Sequence, residues 1–351
     1  MDNSEDITIS NLDPLCADDI MKSIPKINEK GDIKSLSSIL QSFCSQIDLD
    51  NFNHFERLAA IRDVGIILGS LKRHNLEPIK CVPDIEPILI RYGQLTELPP
   101  RDILYHYTVW NPNNGRLRKY TNHHQEPDLI DSIRISIPHI RKATRLLITL
   151  MDIDPHSLES LETAFEIDSE LRLFLNGLAH AKETVDPGVF INEFRPFFEP
   201  ITVNNQEHGG PGAVTMPLHI FDFLLWGTSD KSKMVQDFTS DYVPYNTKDF
   251  RIAYKNVLGK PSYLDIIERA FEETNHKKII YPLIYAVSNW FKRINGFRMS
   301  HYKYAIQAYD GEYYHNFETG SGGHTTSDLN LLSEITKNNE ERIKTLMNTR
   351  L

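Results

Sequence analysis

Arg298 and His301 stand three residues apart in FRMSH, a spacing that sets two side chains on one face of a helix. A helical imidazole can ligate haem iron through one ring nitrogen, or it can serve as a hydrogen-bonded structural residue. A second arginine, Arg195, lies in FINEFRPFFEP among Phe190, Phe194, Phe197 and Phe198. An arginine in such company either extends its head to the surface or holds an anion by two parallel bonds in an apolar pocket. The third feature is Gly320-Ser321-Gly322-Gly323, whose backbone amides could meet a carboxylate or a propionate. It is no nucleotide loop, because it lacks G-x-x-x-x-G-K-[ST] and no strand precedes it. His123-His124 reads as a solvated turn. The 14 histidines include no H-E-x-x-H, and Cys16, Cys44 and Cys81 form no C-x-x-C. Those absences exclude the usual zinc spacings, a disulfide framework and covalent haem attachment. With no G-x-S-x-G elbow, serine-hydrolase chemistry has no starting point either.

These residues need elements to position them, and helical periodicity supplies nearly all. Residues 55–73 place Phe55, Leu58, Ala59, Ile61, Ile66 and Leu71 on one apolar face. Further helices are expected over 127–151, with Pro138 kinking rather than breaking it, and over 157–184. Asp186-Pro187 is an N-cap followed by a first-turn proline, so a helix carrying Phe190, Phe194 and Arg195 should start there. Ser262 to Asp265 forms a capping box for a helix running to about 275. The stretches 279–308 and 325–349 complete the set, and alternating strand patterns are nearly absent, so the fold class is all-α. Three stretches break the pattern and read as functional loops: 107–125, 203–217 and 310–326.

The 351 residues suggest about two domains, placed as a smaller N-terminal helical region over 1–95 and a helical domain over 96–351. Lys and Arg number 38 against 48 Asp and Glu, giving a net charge of −10. That balance argues against a nucleic-acid partner, since phosphate rewards a basic face. No apolar run approaches the ~20 residues of a membrane span. The acidic, polar start MDNSEDITISNLD is the reverse of a signal peptide, so a reducing, cytoplasmic compartment is expected.

In order along the chain, IRDVGIILGSLKRH, LPPRDILYHYTVWNP, DPGVFINEFRPFFEP, GGPGAVTMPLHIFDFLLWG, FRMSH and GSGG resemble the haem-dependent aromatic oxygenase superfamily. That superfamily contains the indoleamine and tryptophan 2,3-dioxygenases, and the likeness is greatest to monodechloroaminopyrrolnitrin synthase. It runs from about residue 55 to the C-terminus.

The resemblance implies an indoleamine 2,3-dioxygenase-like helical bundle that holds haem b, with His301 as the proximal iron ligand. Arg195 matches the arginine that meets the amino-acid carboxylate, and Phe190 an aromatic pocket wall. Ser321 and Gly322 belong to a loop over substrate and propionate, and Tyr309 matches a substrate-contacting tyrosine. Ser136 or its neighbours fall on the distal wall. Two departures are visible. Phe190-Ile191 stands where the indoleamine-type enzymes have two phenylalanines, and Ser321 replaces a threonine. The implied substrate is L-tryptophan or a ring-halogenated tryptophan, with dioxygen or peroxide as oxidant and an external electron donor as partner. Two reactions fit: oxidative indole rearrangement with decarboxylation to an aminophenylpyrrole, or dioxygenation to N-formylkynurenine. A haem-binding protein without turnover is the non-catalytic rival.

Overall fold

In the computed structural model, residues 3–113, 115–230, 232–274, 277–309, 317, 319–320 and 325–349 are described. Almost all the regular structure is helical, as expected, and the described strands make one short hairpin. The chain divides into two compact units. One comprises 1–134, 181–215 and 307–324; the other comprises 135–180, 216–306 and 325–351.

The first unit is built around the helix His54–Arg73. Asn53 caps it and Glu56 returns the bond to the Asn53 amide, so the Asn53, Phe55 and Glu56 amides are all satisfied. Every residue from Leu58 to Leu71 is buried. Gly65 and Gly69 let other segments approach closely. A Cβ at Gly65 would lie 2.4 Å from the Asp102 Cβ, and one at Gly69 would lie 2.7 Å from Tyr120 Oη and 2.8 Å from the Phe197 carbonyl oxygen.

The segment 107–125, polar in sequence, is largely inside this unit because its polar groups answer one another. Asn111 accepts from the Arg118 amide and donates to the Tyr107 and Arg118 carbonyls. The buried Glu126 carboxylate accepts from Tyr107 Oη at 3.0 Å, from the Tyr120 and Thr121 amides and from the Thr121 hydroxyl. Trp110 donates its indole N–H to Asp6 at 2.8 Å. A buried loop is tolerable only when its backbone is satisfied in this way.

Asp186 caps the next helix as expected, accepting from the Gly188 and Val189 amides. The helix itself differs from the sequence expectation. After Pro187–Val189 comes a π-helical turn, Phe190–Phe194, then a 3₁₀ turn, Arg195–Phe198. Pro196 lacks an N–H, so an α ladder cannot continue through it. Within the expected 203–217 loop, the chain makes a hairpin of Ile201–Val203 and Gln206–His208. Asn204 and Asn205 turn it at φ 50° and 59°, the two-residue pattern that suits asparagine. Three-residue strands are too short for alternation to register.

Three long helices give the second unit most of their length: Gln125–Leu150 runs unbroken through Pro138, and Leu158–Thr184 and Lys277–Tyr309 match the periodicity to within two residues. The core centres on Trp290, whose indole donates to the Ala164 carbonyl at 3.0 Å. The Tyr263 ring stacks on it and Phe221 meets it edge-on. Tyr263–Glu273 opens with the predicted Ser262–Asp265 capping box, and Thr325 with Asp328 caps Thr326–Asn348 in the same manner.

Candidate functional site

In the second unit, the Lys277–Tyr309 helix carries His301, half-buried, with its ring stacked on Phe297 one turn earlier at 5.8 Å. Phe297 in turn packs on Phe174 at 4.7 Å. Ser136 is buried and donates its hydroxyl to the Phe174 carbonyl at 3.1 Å, so it braces the backbone behind this aromatic pair. Burial of the ring pushes the His301 imidazole below its usual range.

The two fully buried histidines, His219 and His106, are committed. His219 donates Nδ1–H to the Met216 carbonyl at 2.7 Å, and its Nε2 accepts from Asn246 at 3.3 Å; burial takes it down to about 4. His106 accepts from the Ile103 amide at Nδ1 and donates from Nε2 to Tyr92 Oη. Among the described residues, His301 has no hydrogen-bond partner at either ring nitrogen. That leaves a ring nitrogen uncommitted, as a metal ligand requires.

Beside it, Arg298 is buried in an ion pair with Asp222. The pair is incomplete on the arginine side: Arg298 Nε and Nη1 are buried with no partner, whereas the Asp222 carboxylate also has the Trp226 indole N–H beside it. Burial raises the Asp222 carboxyl and lowers the Arg298 guanidinium, while their mutual attraction opposes both shifts. Buried orphaned guanidinium donors call for a further acceptor, and an anionic group on a ligand of His301 would be one. Asp222 was not legible as a site residue, since it is remote in sequence within the apolar run HIFDFLLWG.

In the first unit, Arg195 is also buried, its side chain 5% exposed. Of the two sequence alternatives, extension to the surface is excluded. Nη1 pairs with Glu199, and Nη2 donates to the carbonyls of Thr319 and Gly320 at 3.4 and 3.3 Å. The Phe317 ring covers one face of the guanidinium at 4.5 Å. Nε, buried, has no partner. Glu199 stands four residues on in FRPFFEP, and opposite charges at that spacing are the sequence signal for the pair.

Phe190 is half-buried at the start of the π turn, and Phe194 is buried. His123 meets Phe194 edge-on at 5.7 Å and stacks on His124, so it is less solvated than a free turn residue. Tyr309 ends the long helix, half-buried, within the first unit. The structure thus brings Arg195 to the chain entering the glycine motif, through Thr319 and Gly320. Ser321, Gly322, Gly323 and His324 lie outside the described residues. Among the described residues no helix is long and apolar enough to cross a membrane.

A family model described as monodechloroaminopyrrolnitrin synthase PrnB matches residues 13–351, nearly the whole chain. The chain belongs to that family, and it is an enzyme of the pyrrolnitrin-forming type.

Proposed function

We propose that this member of the monodechloroaminopyrrolnitrin synthase family is a haem-b enzyme that rearranges the indole of L-tryptophan or a ring-halogenated tryptophan. The product is an aminophenylpyrrole, formed with loss of the carboxyl group. The observation that carries the haem assignment is the uncommitted imidazole of His301, stacked on Phe297 and one turn from the orphaned donors of Arg298. These residues fit the group: His301 would hold the iron as its one protein ligand, and Arg298 would meet an anionic propionate. Haem, when bound, would supply an iron at which dioxygen or peroxide could be activated.

The chain's own residues bind and orient. Arg195 takes the α-carboxylate by charge-assisted bonds in a dry environment. Phe190 forms an aromatic wall, and burial of an indole ring against such walls stabilises binding by a few kcal/mol, on the order expected from its apolar area. The family resemblance assigns Tyr309, Ser321 and Gly322 to substrate binding, and His301, Tyr309 and Ser321 to the chemistry. Ser136 supports the distal wall. With the carboxylate fixed and the ring buried, orientation carries much of the rate. An external electron donor serves the oxidant.

The test is an absorption spectrum of protein expressed with haem precursor, before and after L-tryptophan. A Soret band that shifts on addition is expected. Product mass then separates the aminophenylpyrrole from N-formylkynurenine, the dioxygenase outcome. His301→Ala should lose stable haem; a full Soret band in that variant refutes the ligand assignment. Arg195→Ala should retain haem yet weaken amino-acid binding by about 2–5 kcal/mol, read from the spectral titration. Unchanged affinity removes Arg195 from the site.

A further inference from the structure

We propose that Arg195 and Glu199 together recognise a free α-amino acid as a zwitterion, Arg195 taking the α-carboxylate and Glu199 the α-ammonium. This rests on the amino-acid reading above and assigns the second charge of the ligand.

The geometry of the pair is that of a binding device rather than a helix-surface ion pair. The backbone is not α-helical between the two residues: Arg195–Phe198 is a 3₁₀ turn and Glu199 is extended, at φ −65° and ψ 147°. The guanidinium is buried, while the Glu199 side chain is 31% exposed and so reachable by ligand. Glu199 Oε1 accepts from Arg195 Nη1, and among the described residues the carboxylate has no other partner. One oxygen is therefore available for a second cation.

On the arginine side, Nε is the uncommitted donor, and a carboxylate seated on the Nε–Nη2 edge would take the place of the Thr319 and Gly320 carbonyls at Nη2. Nε is buried without a partner, and the bonds from Nη2 are long. That edge is the one across which a carboxylate accepts two parallel bonds. With Phe317 over one face of the group, an in-plane approach is favoured.

Glu199 is also held at a fixed place. Its carbonyl accepts from Arg101 Nη1 at 3.1 Å, and the same nitrogen donates to the His208 carbonyl on the hairpin at 3.0 Å. Arg101 is fully buried and paired with Asp102. A neutral ion pair that admits a net-neutral zwitterion adds no uncompensated charge to the interior. A monoanion would leave Glu199 repelled, and a monocation would meet Arg195 unpaired.

Calorimetric titration of the full-length, haem-loaded protein with L-tryptophan, indole-3-propionate and tryptamine tests this. The wild type should bind L-tryptophan about tenfold or more tightly than either analogue, the range of a hydrogen bond to a charged group. In Glu199→Gln the preference over indole-3-propionate should collapse, through loss of L-tryptophan affinity with the acid binding as well or better. Glu199→Asp should restore part of it. A wild type that does not discriminate overturns the proposal without any variant. So does a Glu199→Gln protein that keeps its preference, or one in which both ligands tighten equally, for then Glu199 only plugs the arginine. If Arg195→Ala weakens indole-3-propionate while Glu199→Gln leaves the preference intact, the carboxylate reading stands and the ammonium assignment alone fails. If the wild type binds no indole amino acid, both fail.

Discussion

A histidine held at both ring nitrogens behaves differently from one left uncommitted, and His106 and His301 show the two cases within one chain. At His106 the Ile103 amide donates to Nδ1 at 2.9 Å, so the ring proton resides on Nε2 facing Tyr92. Protonation would set one N–H against another. Burial, together with the nearby Arg62 charge, takes this imidazole down to about 3 from an ordinary 6.5. The folded protein therefore binds fewer protons here than the unfolded chain at pH values below about 6.5. Stability from this group is intact above 6.5 and falls as pH drops toward 3, by about 1.4 kcal/mol per unit. Denaturation of the wild type across pH 4.5 to 7.5 should show that slope, and His106→Gln should be less stable at pH 7 with a shallower slope. An equal slope in both proteins refutes the assignment. At this scale the sequence singled out His301 through Arg298, but it could not tell which other histidines were committed. Each is held by one backbone group and by one side chain remote in sequence, Asn246 for His219 and Tyr92 for His106, and local pattern marks neither.

The element that carries Arg195 is distorted, and the distortion has identifiable causes. The Arg195 amide reaches back five residues to Phe190, a π-type bond, before Pro196 removes the next donor. The turn then packs on the His54–Arg73 helix, where Gly69 admits the Phe197 carbonyl. Gly69→Ala places a methyl within 2.8 Å of that backbone oxygen and of the Tyr120 ring. Since backbone must shift, a loss of about 1–3 kcal/mol is expected, read as a lower denaturation midpoint. The shift should also weaken tryptophan binding, because Arg195 and Glu199 ride on the displaced turn. Gly115→Ala is the comparison: its Cβ meets nothing within 4 Å, though φ +78° strains it, so stability should fall without any change in affinity. Helix boundaries were legible because caps and periodicity are local. The π turn was not, because periodicity at three and four residues does not distinguish a bond to the fifth. The role of Gly65 and Gly69 was hidden too, since their neighbours come from far along the chain.

At the scale of the molecule, each compact unit is assembled from stretches that are distant in sequence, and this is what local pattern reading cannot reach. The first unit joins 1–134 to 181–215 and 307–324. Its interior ties the N-terminal helices to later segments through buried charge. Asp63, fully buried, accepts from Arg62 and from Arg118 Nε at 2.9 Å. Arg118 is itself fully buried and also pairs with Asp13 and Asp18. A chain starting at residue 96 would keep Arg118 and lose all three of its carboxylates, along with the helix that receives Asp102, Tyr120 and Phe197. Stranding one buried charge costs about 3–5 kcal/mol, against a total stability of about 5–15 kcal/mol for a folded domain. The 96–351 fragment should therefore lose cooperative thermal unfolding and elute as aggregate on size exclusion. Near-UV circular dichroism should fade with it, as the Tyr120–Phe197 stack disperses. A monomeric fragment with a sharp melt would mean that the N-terminal helices are an appendage. The buried Asp63–Arg118 pairing argues that they are the foundation on which the Arg195 turn is laid.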